Sequence, residues 1–198
     1  MKKQWLIILW LSLLFAGIFA LFWYNEWMYN LPTPVPANYK AVKAGEYINV
    51  PSSLNSNSKP VFLHFFNPDC PCSRFNMPHF KSLVQAYSNK VSFGIVVMNN
   101  KNYTAKQIQE KYDLNIPVFF DASLAASCGV YSTPQAAIIN VDRKLYYRGN
   151  YNRSRYCTDK KSNYAQMALD SLLQNRTTIT FNQFAFKAYG CQLPKCTR

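Results

Sequence analysis

The chain has 198 residues, 49% of them hydrophobic and 16% aromatic, with six cysteines and a formal net charge of +13. At about 150 residues per domain this length allows one domain and an appendage, and the aromatic content with low charge density excludes a disordered chain, a collagen or a disulfide-dense miniprotein. A mean hydropathy of -0.19 excludes a polytopic membrane protein, and no repeat of about 20–50 residues points to a solenoid or propeller.

One membrane span is compatible with that composition, and it comes first. Lys2 and Lys3 precede an uncharged apolar run from Trp5 to Tyr24. About 20 residues of helix cross a hydrocarbon core of roughly 30 Å. Trp5 and Trp10 flank one end and Trp23, Tyr24 and Trp27 the other, where indole and phenol rings favour the headgroup layer. The competing reading is a cleaved signal peptide, whose apolar core would run only about 7–15 residues. The anchor reading makes the bilayer a partner through residues 5–24. It keeps the N-terminus in the cytoplasm as a single-pass topology and sends the rest of the chain out of the cytoplasm, to the periplasm in a bacterium.

Pro32, Pro34 and Pro36 alternate after the anchor, favouring extended polyproline geometry. The predicted organisation is therefore an anchor with its flanks over residues 1–27, a Pro-rich linker over 28–46 and a folded domain over 47–198. A polar patch, Ser52 to Lys59, lies near the domain start. Setting Lys2 and Lys3 aside, 20 basic residues remain against 9 acidic ones. They are scattered, which suits solubility and nearby anionic headgroups and gives no nucleic-acid partner.

Pro60–Phe66 is an apolar run of strand length that ends in the turn signal Asn67-Pro68-Asp69. Phe80, Leu83, Val84 and Tyr87 then recur at helical spacing within Arg74–Ser88. Val91–Met98 reads as a buried strand. Thr104 and Gln107 match a capping box opening a short helix to Tyr112. Val118–Phe120 is a brief strand ending at Asp121. Ala136–Val141 and Leu145–Tyr147 form a hairpin around Asp142-Arg143-Lys144, and a last helix covers Ser162–Gln174. Buried strands alternating with helices predict a parallel crossover under a sheet covered on both faces, with the hairpin adding antiparallel strands. This is the order of the thioredoxin fold, an α/β mixed sheet flanked by helices.

The chemistry sits after the first strand. In Phe65-Phe-Asn-Pro-Asp-Cys-Pro-Cys-Ser73, Cys70 falls where strand gives way to helix, and Pro71 suits the first helical position because its missing N–H is not needed there. A cysteine capping a helix faces open N–H groups and the positive end of the dipole. Both stabilise a thiolate and lower the thiol pKa, favouring a nucleophile.

The motifs FFNPDCPCSRFNMP at 65–78, the Asp121 turn, GVYSTPQAAIINVD at 129–142, YRG at 147–149 and AYGC at 188–191 occur in order. Together they resemble the thioredoxin-like redoxins of the alkyl hydroperoxide reductase and thiol-specific antioxidant superfamily, in their membrane-anchored exported form. The resemblance covers about Tyr47 to Cys191. It implies that Thr133-Pro134 is the cis-proline loop beside the active-site cysteine, exposing backbone that pairs with an extended thiol partner. It also matches Pro78 to the proline that kinks the first helix.

The departures shape the functional reading. Cys70 and Ser73 occupy the usual Cys-x-x-Cys positions, and the extra thiol, Cys72, comes one residue early. Cys70 and Cys72 are the candidate catalytic pair. Alternatively Cys72 faces away and a distant or external thiol resolves Cys70. Cys128, Cys157, Cys191 and Cys196 are further candidates for resolving or structural roles. Cys128 precedes the cis-proline loop, and Cys191 and Cys196 are close enough for a local bridge. Six cysteines allow 15 pairings, and export permits disulfides. A peroxiredoxin needs a Thr or Ser and a proline at the positions held by Asn67 and Leu63, so a peroxide pocket is not matched.

The resulting expectation is a membrane-tethered, extracytoplasmic thiol–disulfide oxidoreductase. Its partner is a thiol- or disulfide-bearing protein, and it needs no cofactor or metal. Two alternatives stand beside it. One is a copper-binding thioredoxin-fold chaperone using Cys70 and Cys72 with Met77 and His79 nearby, although no histidine follows His79 to supply a distant ligand. His64 reads as a core residue. The other alternative is a non-catalytic interaction domain on the same fold.

Overall fold

A computed structural model describes residues 2–54, 58–99, 102–154, 156–176 and 180–192. The chain divides into two units, Met1–Pro32 and Thr33–Arg198. The first unit is helix α1, Lys2–Asn30. Within it Lys3–Trp27 is long and apolar enough to cross a membrane, with a mean hydropathy of 2.5. The apolar run thus continues as helix beyond both ends of the Trp5–Tyr24 span.

The second unit is organised by strand β1, Val61–Phe66, all six residues of which are buried. Helix α2 follows at Pro71–Tyr87, strand β2 at Ser92–Val97, helix α3 at Ala105–Tyr112 and strand β3 at Val118–Phe119. Helix α4 spans Ala122–Ser127, and the two-residue strand β4 is Ser132–Thr133. Strands β5, Gln135–Ile139, and β6, Leu145–Gly149, complete the hairpin; helix α5 is Tyr164–Leu173, helix α6 is Gln183–Phe186, and strand β7 is Cys191–Gln192.

The five-stranded sheet has the order β3-β2-β1-β5-β6. β1 runs parallel to β2, with Phe62 opposite Phe93, and antiparallel to β5, with Phe62 opposite Ile138. This is the thioredoxin fold. Side chains alternate across the pleat, so β1 feeds two cores. Phe62 and Phe66 pack with Phe80 and Leu83 of α2 and with Ala165 and Leu169 of α5. Leu63 and Phe65 pack on the other face with Leu124 and Ala125 of α4 and with Ile48 and Leu54. Each such buried large side chain is worth about 1.5–3 kcal/mol relative to exposure. The capping box is formed: the Thr104 hydroxyl accepts from the Gln107 N–H at 3.2 Å, and the Thr104 N–H donates to Gln107 Oε1 at 2.9 Å.

The segment expected to be a spacer is docked on the folded unit, which begins well before Tyr47. Thr33 is buried, the Tyr39 hydroxyl donates to the Gly129 carbonyl at 3.0 Å, and Val42 packs against the α4-side core. The chain here turns at Ala37-Asn38, where the Tyr39 N–H donates to the Pro36 carbonyl at 3.0 Å, and the buried Thr33 and part-buried Tyr39 hold it to the surface. Part of the polar patch, residues 55–57, falls outside the described residues.

Candidate functional site

The turn after β1 is built to present Cys70. The Asp69 N–H donates to Asn67 Oδ1 at 3.0 Å, and the Cys70 N–H donates to the Asn67 carbonyl at 3.0 Å. Asn99 donates to Asn67 Oδ1 at 2.7 Å and to Asp69 Oδ2 at 2.9 Å, and the Tyr103 hydroxyl donates to Asp69 Oδ1 at 2.8 Å. The turn is therefore tied to the chain that follows β2. Cys70 has extended backbone, φ −85° and ψ 124°, and caps α2 with Pro71 in its first turn. The Arg74 N–H donates to the Cys70 carbonyl at 3.1 Å. Ser73, in place of a second cysteine, is buried and its hydroxyl accepts from the Asn67 N–H at 3.2 Å. It serves the turn.

Cys70 is buried and joined by a disulfide to Cys191, 121 positions later, with the Cα atoms 6.5 Å apart. Cys72 lies outside this bond but beside it: the Sγ atoms of Cys70, Cys72 and Cys191 all fall within 4.8 Å of one another. Cys72 is buried, so it does not face away along the helix. The bond also places Cys191 with Cys70 and not in a local bridge with Cys196, which is outside the described residues.

The Thr133-Pro134 peptide is cis. The strand just before it, β4, pairs antiparallel with β7, with Thr133 opposite Cys191 and Ser132 opposite Gln192. The chain's own C-terminal segment thus occupies backbone that the sequence resemblance assigns to a partner. Thr33 clasps this segment. Its N–H donates to the Ala188 carbonyl at 2.8 Å, and its hydroxyl donates to the Gly190 carbonyl at 3.2 Å and lies 3.0 Å from the Ser132 hydroxyl. Ser132 also donates to the Cys191 carbonyl at 3.3 Å. Gly190 has φ 145°, and a Cβ there would run into the Thr133 carbonyl. Thr33, Ser132 and Gly190 were not singled out by sequence reasoning. Ser132 and Gly190 lie inside quoted motifs, but nothing about a threonine between alternating prolines marks it as a clasp.

The other cysteines are elsewhere. Cys128 closes α4 and packs with Leu63 and Phe65, in the core opposite the one that holds α2. Burial pushes its thiol up to about 12. Cys157 donates to Asn76 Oδ1 on α2 at 2.9 Å, and burial pushes its thiol up to about 12 as well. Neither joins the three sulfurs, so neither is placed to resolve Cys70. His64 is a core residue: fully buried, stacked on Phe80 with ring centroids 4.3 Å apart, and 2.7 Å from the Tyr151 hydroxyl through Nδ1. His79 is half-buried, and burial lowers its pKa. Met77 belongs to the α2-side core.

No curated protein matches this chain. Among solved structures, a hypothetical protein from Sinorhizobium meliloti 1021 matches over 79% of this chain and 96% of its own, at 17% identity and a TM-score of 0.63. An uncharacterized conserved protein from Geobacillus kaustophilus matches over 81% and 97%, at 18% identity and a TM-score of 0.60. At these identities the likeness is one of fold. The sequence itself, from residue 39 to residue 193, matches one family along most of the folded unit, and the chain belongs to it: the family described as Domain of unknown function (DUF6436).

Proposed function

We propose that this protein is a membrane-tethered thiol–disulfide oxidoreductase working outside the cytoplasm, with Cys70 as its nucleophile. The observation that carries this reading is the cap position of Cys70 on α2, with its sulfur bonded to Cys191 and close to Cys72. The positive end of the α2 dipole stabilises a thiolate there once the bond is reduced. The apolar helix α1 supports tethering, and Lys2 and Lys3 before it favour a cytoplasmic N-terminus.

The test uses the full chain in detergent. After reduction, the wild type should reduce a protein disulfide such as insulin, and Cys70→Ser should lose that activity at least a hundredfold. Equal rates for the two would end the proposal. A reporter fused after Arg198 that works only in the cytoplasm would end the topology.

A second reading has one observation in its favour. When reduced, Cys70, Cys72 and Cys191 would offer three soft sulfurs within 4.8 Å, a set that suits Cu(I). Cys191 would then be the distant ligand that no histidine provides. One tightly held Cu(I) per reduced chain, lost in Cys191→Ser, would favour copper handling over thiol exchange.

A further inference from the structure

We propose that Cys191 is the resolving cysteine, and that Gly190–Gln192 is an internal counterpart of the client strand, so that resolving the mixed disulfide and expelling the client are one event. This rests on the oxidoreductase reading above.

Three observations meet at this place. Cys191 is bonded to Cys70. Its strand pairs with Ser132–Thr133, the edge immediately before Pro134. Thr33 and Ser132 hold the same segment through the Gly190 and Cys191 carbonyls. A resolving thiol needs only reach; this one arrives as a strand seated on an edge where an extended client would add its own. The edge cannot hold both.

Written for reduction of a client, the exchange begins with both thiols reduced and the tail released. The Cys70 thiolate attacks one sulfur of the client disulfide. The client S–S bond breaks, its other sulfur leaves as a thiolate and takes a proton, and a Cys70–client disulfide forms. Cys191, having given its proton to solvent, attacks Cys70 Sγ. The Cys70–client bond breaks, the client sulfur leaves as a thiolate and is protonated, and the Cys70–Cys191 bond forms. Two electrons pass from the protein dithiol to the client. Reversal of the same steps oxidises a client dithiol. Closing β7 onto β4 fills the edge as the client's covalent bond is lost.

The tail also specifies the client. Its residue before the cysteine is Gly190, where a Cβ would meet the Thr133 carbonyl. An extended segment with glycine before its cysteine fits this register, and one with a bulky residue there must sit differently.

The probe is a peptide of the Ala188–Gln192 sequence whose cysteine carries a thionitrobenzoate group, added to the reduced full-length protein in detergent. Release of the coloured thiol reports attack, and intact mass reports the adduct. The wild type should release the coloured thiol and then the peptide, ending as Cys70–Cys191. The peptide adduct should persist at least ten times longer on Cys191→Ser than on Cys72→Ser. The opposite order would overturn the proposal and assign resolution to Cys72, leaving the oxidoreductase reading intact. Attack no faster in the wild type than in Cys70→Ser would remove that reading as well. Thr33→Val keeps every thiol and loosens only the clasp. It should speed opening of the Cys70–Cys191 bond by dithiothreitol severalfold, and an unchanged rate would count against the seated tail.

Discussion

The hydroxyl of Thr33 donates to the carbonyl of Gly190 at 3.2 Å, across 157 positions of sequence. This contact joins the start of the folded unit to its C-terminal segment directly beside the disulfide. Shortening the protein should therefore have effects that depend on where it is cut. A chain starting at Thr33 should retain the stability of the folded unit. A chain starting at Tyr47 loses the Thr33 bonds, the Tyr39 hydroxyl bond and the packing of Val42, together about 2–4 kcal/mol. Urea unfolding of the two truncations, both oxidised, measures the difference; equal midpoints would contradict it.

Gly190→Ala should weaken closure of the tail. The substitution places a Cβ against the Thr133 carbonyl at a φ of 145°, and such strain costs about 1–3 kcal/mol. Every 1.4 kcal/mol is about tenfold in an equilibrium. At a fixed ratio of reduced to oxidised glutathione, the fraction holding the Cys70–Cys191 bond should fall, as measured by quenching and alkylation. An unchanged fraction would mean that the tail relaxes without loss.

Thiol reactivity should separate the cysteines sharply. With Cys128 and Cys157 both pushed up to about 12 by burial, their thiolate fraction at pH 8 is about three orders of magnitude below that of a thiol at about 8.5. In the reduced folded protein Cys70 should alkylate first, with Cys128 and Cys157 last. Peptide mapping after timed iodoacetamide quenching gives the order. Early labelling of Cys157 would refute it.

His64 should make the fold sensitive to acid. Burial lowers its pKa to about 3, below the unfolded value of about 6.5. Between these values the unfolded chain binds a proton that the folded chain does not. Stability therefore rises with pH through this window, is complete above pH 6.5, and falls by about 5 kcal/mol as pH drops to 3. His64→Gln should be less stable at pH 7 yet show a shallower decline between pH 6.5 and 4. Parallel curves for the two proteins would exclude His64 as the source.

The local signals were the readable ones. β1 and β2 are mostly apolar runs of strand length, interrupted only by His64, Ser92 and Gly94, and the Thr104–Gln107 capping box marks α3 within four residues, so each is signalled by residues close together in the chain. Cys70 was legible for the same reason: a turn, a cysteine and a proline stand side by side. α4 spans only six residues, too short for periodicity to stand out. β4 and β7 have two residues each, and their pairing is set by a distant partner and by Thr33. Cys128 lies in the core opposite the one that holds α2, whereas Cys191 pairs with Thr133 and is bonded to Cys70, and spacing carries neither fact.

The bond between Cys70 and Cys191 also makes the domain a ring. It encloses the segment from α2 to α6, and in the chain-entropy account a closed loop of this size is worth about 5 kcal/mol against the unfolded chain. The form with thiols exposed for exchange is thus the softer of the two, and its melting temperature should be the lower. A single protease cut anywhere between the two cysteines would leave the oxidised protein in one covalent piece. The same cut would release two fragments on reduction, so the redox state of the site decides whether damage to the chain is contained or becomes loss of the domain.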